Sequence, residues 1–172
     1  MTNAKLWPAC LLLGLLASLP GRAAATAQEP PASQASHAGP VRVGERFSAM
    51  ADRAAWRHEA DLSLDDCLYY TGGRLPAGVA MMVLNGTVVR FDLDTARAAG
   101  PFGLRVGHTA ADARRRMPAG ATLERGYRFS ETRHLVWHSA HLAVRAELTP
   151  DDRIDHLSWG RRDAVGRTEA CL

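Results

Sequence analysis

Gly103-Leu104-Arg105-Val106-Gly107-His108-Thr109-Ala110-Ala111-Asp112 holds the start of a helix and one copy of a repeat. Thr109 is a hydroxyl residue suited to cap a helix, and Asp112 follows three residues on, as in a capping box. A helix is predicted over 109–117, with Ala110, Ala113 and Met117 on one side, and Pro118 and Gly120 stop it. Leu104-Arg105-Val106-Gly107 has a partner in Val41-Arg42-Val43-Gly44, 63 residues earlier. An alanine-rich segment follows there too, so a helix is predicted over 48–59, with Met50, Ala54 and Arg57 or His58 on one side. Arg46 stands where Thr109 stands in the second copy, which leaves Ser48 as the candidate cap.

Outward from these segments the halves end alike. Asn85-Gly86 is a two-residue hairpin turn of the primed type, followed by Val88, Phe91 and Leu93. Pro150-Asp151-Asp152 takes the same place in the second half, followed by Ile154, Leu157 and Trp159, an offset of 66. An apolar spacing of three then two breaks strict alternation in both, which predicts a bulge in each final strand. Further strands are predicted at 68–71, 79–84, 135–137 and 142–148. In the last of these, Leu142, Val144, Ala146 and Leu148 face a core, and Ala143, Arg145 and Glu147 face water. The fold class is therefore α+β: an antiparallel sheet of two pseudo-repeated helix-plus-meander units (about 39–95 and 101–160), with short helices packed on one face. Residues 39–172 make a single domain.

A Gly-led R-V-G followed by a capped helix and a three-stranded meander resembles the beta-lactamase-inhibitor-protein-like fold. That fold is shared with the small lipoprotein of the outer-membrane protein assembly machinery. The resemblance covers about 39–160, and the tandem arrangement is closer to the inhibitor. The second copy carries the motif as Gly107-His108-Thr109-Ala110-Ala111-Asp112, and the first departs from it at Arg46. The resemblance implies a binding scaffold without naming what it binds.

Residues 1–27 read as a secretory signal peptide: Lys5 is the positive n-region, 11–19 the apolar stretch, and Ala25-Thr26-Ala27 the cleavage site. That apolar stretch is shorter than the ~20 residues a spanning helix needs. Cys10 precedes the stretch rather than following it, which argues against lipidation. Residues 28–38, rich in Pro, Ser and Ala, read as a flexible leader. Cleavage would leave 19 Arg, no Lys and 18 acidic residues, a net charge of +1. Arg114-Arg115-Arg116, the densest basic run, has no interleaved aromatics, so nucleic acid is not an expected partner. The chain would also retain two cysteines, Cys67 and Cys171, an even count that in an exported protein reads as a disulfide; the competing reading makes Cys67 a catalytic thiol. A periplasmic or secreted location follows from the signal peptide and the bridge.

Hydrolase signatures and Gly-rich phosphate loops are absent from the sequence, and no cofactor is expected. His134, His138 and His141 would line one helix face and suit zinc, but their surroundings read as strand, where His134 and His138 share a face and His141 falls in a turn. Asp92 and Asp94 alternate on a strand, a possible acid–base pair, and Asp65-Asp66 reads as a solvated turn. Tyr69, Tyr70 and Trp137, with His134 and His138, are the candidate partner-binding residues, because aromatics on a sheet anchor protein interfaces. The expected function is an exported, non-enzymatic protein of the cell envelope that recognises a protein partner, in an inhibitor-like or assembly role. The alternative is a metal-binding protein or metal-dependent enzyme built on the histidine cluster.

Overall fold

A computed structural model describes residues 30–51, 53–126, 132–167 and 171, so the expected signal peptide lies outside the described residues. Strands β1 (His37–Ala38) and β2 (Val41–Arg42) form a small antiparallel pair. The main sheet has eight strands: β3 (Trp56–His58), β4 (Cys67–Gly72), β5 (Val79–Leu84), β6 (Thr87–Leu93), β7 (Thr122–Arg125), β8 (Arg133–His138), β9 (Leu142–Leu148) and β10 (Ile154–Arg161). Their order is β3-β4-β5-β6-β10-β9-β8-β7, antiparallel throughout. Two meanders thus meet at their last strands, where Leu93 pairs with Leu157 and Phe91 with Trp159. Helices α1 (Pro31–Gln34), α2 (Ala110–Arg116) and α3 (Arg162–Val165) are short. The protein is α+β and dominated by its antiparallel sheet.

Alternation along the strands assigns two faces. The inner face carries the main core, including Met81, Phe91, Leu93, Leu135, Val144, Leu157 and Trp159, packed with Val41, Leu104, Ala113 and Met117. A second, smaller cluster lies on the outer face: Cys67, Tyr69, Met82, Val89 and Ala164. Both expected bulges are present. The register shifts between Met82 and Val83 opposite β6, where Val89 is the extra residue, and between Ile154 and His156 on β10. Each shift keeps the apolar residues on either side of it turned inward. The Asn85-Gly86 turn has φ of 49° and 72°, the left-handed pair that a two-residue hairpin requires.

The second predicted helix forms as expected. Thr109 Oγ1 accepts from the backbone N–H of Asp112 at 3.1 Å and in turn donates to its carboxylate at 2.8 Å. The Thr109→Ala substitution should lower stability by about 1 kcal/mol, read as a shift of the urea midpoint at unchanged slope.

Four expectations need correction. The helix over 48–59 is replaced by single 3-10 turns at Phe47–Ala49 and Arg53–Ala55, followed by β3. Arg46 supplies no capping side chain, and Trp56 is buried as an edge-strand residue lying directly on Gly73, where a Cβ would fall 2.5 Å from the ring. The 28–38 leader is not free over 31–38: Ala35 and Ala38 are buried, Trp159 Nε1 donates to the His37 carbonyl at 2.9 Å, and Phe102 N donates to Gln34 Oε1 at 3.0 Å. Pro31 opens α1, a position where its fixed φ favours a helix start. Nor do the helices share a face, since α2 joins the inner core while α3 lies on the outer side against β6, β9 and β10. As a result the supposedly wet side of β9 is covered, and Ala143 and Arg145 are buried.

Cys67 and Cys171 form a disulfide with Cα atoms 5.4 Å apart, fastening the chain after α3 to β4. No helix among the described residues is long and apolar enough to cross a membrane.

Candidate functional site

The seam between β6 and β10 sets Asp92 opposite Ser158, both turned to the outer face. Two residues before each, on the same face, stand Arg90 and His156, and Tyr69 reaches across from β4. Asp92 is the acceptor for all of them. Arg90 Nε donates to its two oxygens at 3.0 and 2.9 Å, Tyr69 Oη at 2.9 Å and Ser158 Oγ at 2.8 Å, and His156 Nε2 lies 3.0 Å away. Burial alone would raise the Asp92 carboxyl, but the His156 hydrogen bond and the Arg90 charge outweigh it and hold the group at about 2. Burial, then the Asp92 charge, push the Tyr69 phenol far up, so it stays a neutral donor. Arg90 completes its partners through Nη1, which donates to the backbone carbonyls of Ala164 and Arg167 at 3.0 and 3.3 Å.

Ser, His and Asp in contact invite comparison with a nucleophilic triad, and the geometry rejects it. One nitrogen, His156 Nε2, faces both Asp92 and Ser158, whereas a triad needs opposite ring nitrogens for the two. Ser158 is fully buried and spends its proton on Asp92. The cluster is built to hold shape and charge.

Beside it opens a cleft of about 730 Å³, lined by Arg57, Thr71, Asp94, Arg97 and His156 over a floor that includes Tyr69 and Asp92. Arg57 pairs with Glu59 at 2.8 Å, and Glu59 also accepts from Thr71 at 2.6 Å, so part of the rim is ordered. Across α3, a second cleft of about 340 Å³ lies over β8 and β9. The outer face is therefore capped along its centre and open on both flanks.

The residues singled out in the sequence fall into separate groups: Tyr69 meets Asp92, His134 and His138 line the smaller cleft, and Tyr70 and Trp137 turn inward. Tyr69 is buried in the outer-face cluster. Tyr70 turns inward, half-buried and stacked on Phe47 with centroids 4.2 Å apart. Trp137 is buried on the inner face, edge-on to Phe102 at 5.5 Å. His134 is buried on the outer face, its imidazole pulled down by burial and by the nearby Arg145 charge, while His138 is exposed at the rim of the smaller cleft. Four residues apart on a strand, His134 and His138 are separated by about 13 Å, too far to share an ion. His141 sits in the turn before β9, and no group of three or more metal-ligating side chains comes together among the described residues. Asp65 and Asp66 make the turn between Leu64 and Cys67, with Asp65 at φ 49°.

Arg90, His156 and Ser158 were missed by sequence reasoning. Their signal was available as polar residues alternating with Phe91 and Leu93, and with Leu157 and Trp159, at matched places in the two final strands. No family model, no curated protein and no solved structure matches the chain.

Proposed function

We propose that this chain is an exported, non-enzymatic binding protein of the cell envelope whose outer sheet face receives a protein partner. The observation that carries this reading is an eight-stranded sheet whose inner face holds the main core and whose outer face is capped along its centre and open on both flanks. Charged groups line those flanks, and in the buried cluster between them Ser158 is committed to Asp92. Export is supported by the signal-like residues 1–27 and the Cys67–Cys171 bridge.

The reading includes a duplicated scaffold, which matched backbone pairs support. Gly44 N donates to Val88 O at 2.8 Å as Gly107 N does to Ile154 O at 2.7 Å, and the two glycines have φ of 88° and 90°. Phe47 N donates to Gly86 O at 2.9 Å as Ala110 N does to Asp152 O at 2.7 Å. Asp92 and Ser158, which correspond under the 66-residue offset, pair with each other, as they would astride a local two-fold axis.

The test is capture from envelope extract on the immobilised, oxidised chain from residue 28. A specific partner should be retained by wild type and by the α2 variant Arg114→Glu, and lost with Arg57→Glu/Arg97→Glu on the large cleft. Retention by the double variant would remove the outer face from the proposal. Turnover that depends on Asp92 would remove the non-enzymatic class.

A further inference from the structure

The smaller outer cleft holds an arginine that the fold leaves incompletely matched. Arg145 stands on β9 at 5% exposure, opposite Ser158 on one neighbouring strand and Val136 on the other. Among the described residues its side-chain hydrogen bonds are made by Nη2, to the Arg167 carbonyl at 3.2 Å and Glu147 at 3.1 Å, and its buried Nε has no partner there. Burying a guanidinium with part of its donor set idle is expensive. Burial accordingly lowers its proton affinity, and the Glu147 charge opposes this without overcoming it.

Around this floor the cleft is basic. Arg125 of β7, Arg162 of α3, His134 and His138 line it with Arg145. Arg125 and Arg162 are exposed and form no ion pair among the described residues. The opposing acids are Glu124 at the rim and Glu147, already engaged by Arg145. Three guanidinium groups from three separate elements, with two imidazoles, surround a space of about 340 Å³.

We infer that this cleft is a binding site for a small oxyanion, phosphate or a phosphate ester, held by Arg145 from below and by Arg125 and Arg162 from the rim. Planar guanidinium groups that fork onto tetrahedral oxygens are the usual hosts for such ions, and the tucked-in position of Arg145 gives the anion a desolvated partner. The site occupies the smaller flank of the same outer face, yet it does not depend on a protein partner there: phosphate uptake and the capture experiment can each fail without the other.

Titration of the oxidised protein with sodium phosphate at constant ionic strength tests this, followed by calorimetry and by the imidazole NMR signals of His134 and His138. Saturable one-site uptake with Kd of about 1 mM or tighter is expected, weakened roughly tenfold or more by Arg162→Gln or Arg125→Gln and unchanged by Arg114→Gln on α2. Both rim variants alter exposed side chains, so they keep the test valid even if Arg145→Met fails to fold. Glycerol 3-phosphate in a parallel titration separates the sources: tighter binding than phosphate assigns an ester, and equal or weaker binding assigns the free ion. Absence of saturation up to about 20 mM phosphate, or equal losses in Arg114→Gln and the rim variants, would overturn the site.

Discussion

Replacing Asp92 by alanine is expected to cost about 3–5 kcal/mol of folding stability, because removing one partner of a buried ion pair strands the other. Arg90 is 4% exposed and among the described residues has no second carboxylate in contact, so its charge would be left to two backbone carbonyls. Tyr69 and Ser158 would lose their shared acceptor at the same time. Urea melts at neutral pH read the effect directly; a loss below about 1 kcal/mol would mean that water enters the cluster and replaces the carboxylate. The same residue sets an acid limb. Its folded value of about 2 lies below the unfolded one, so its contribution is complete above about pH 4 and is lost as pH falls towards 2. Roughly 2 kcal/mol should vanish over that window, and Asp92→Asn should flatten this part of the profile.

Opening the Cys67–Cys171 bridge is the second large expected effect. The bridged residues are 104 apart in sequence, and closing a loop of about 100 residues stabilises by up to ~4.7 kcal/mol in the chain-entropy picture. The bridge also fixes the segment whose carbonyls at Ala164 and Arg167 receive Arg90 and Arg145. Reduction, or Cys171→Ser, should therefore lower the guanidinium midpoint and raise amide exchange in β6 and β9 before the distant β7 and β8. An unchanged midpoint would show that packing of α3 alone holds the segment, and uniform exchange would show that the bridge has no local role.

What could be read in advance was local. Thr109 and Asp112 announced a helix through their own hydrogen bonds, Asn85-Gly86 announced a turn through its backbone preferences, and the three-then-two spacing announced both bulges. What failed depended on distant chain. Residues 48–59 have alanine content enough for a helix, but Trp56 finds its place against Gly73 in the turn that follows β4, and no periodicity encodes that contact. Arg145 alternates like a solvent-facing residue; its burial comes from a segment about twenty residues further on. The site suffered in the same way. Arg90 meets a carbonyl 74 residues away, so the cluster around Asp92 is assembled by chain that no local pattern on β6 announces.

The β6–β10 seam has a consequence for how the chain comes into being. The first meander emerges complete from β3 to β6, yet the bonding edge of β6 waits for β10, which is made last of all the strands. Until then a row of unpaired amides and carbonyls beside Phe91 and Leu93 is available to any passing extended chain. Newly made molecules are consequently most prone to clumping before β10 has paired, and refolding should be slow and limited by closure of this central zipper.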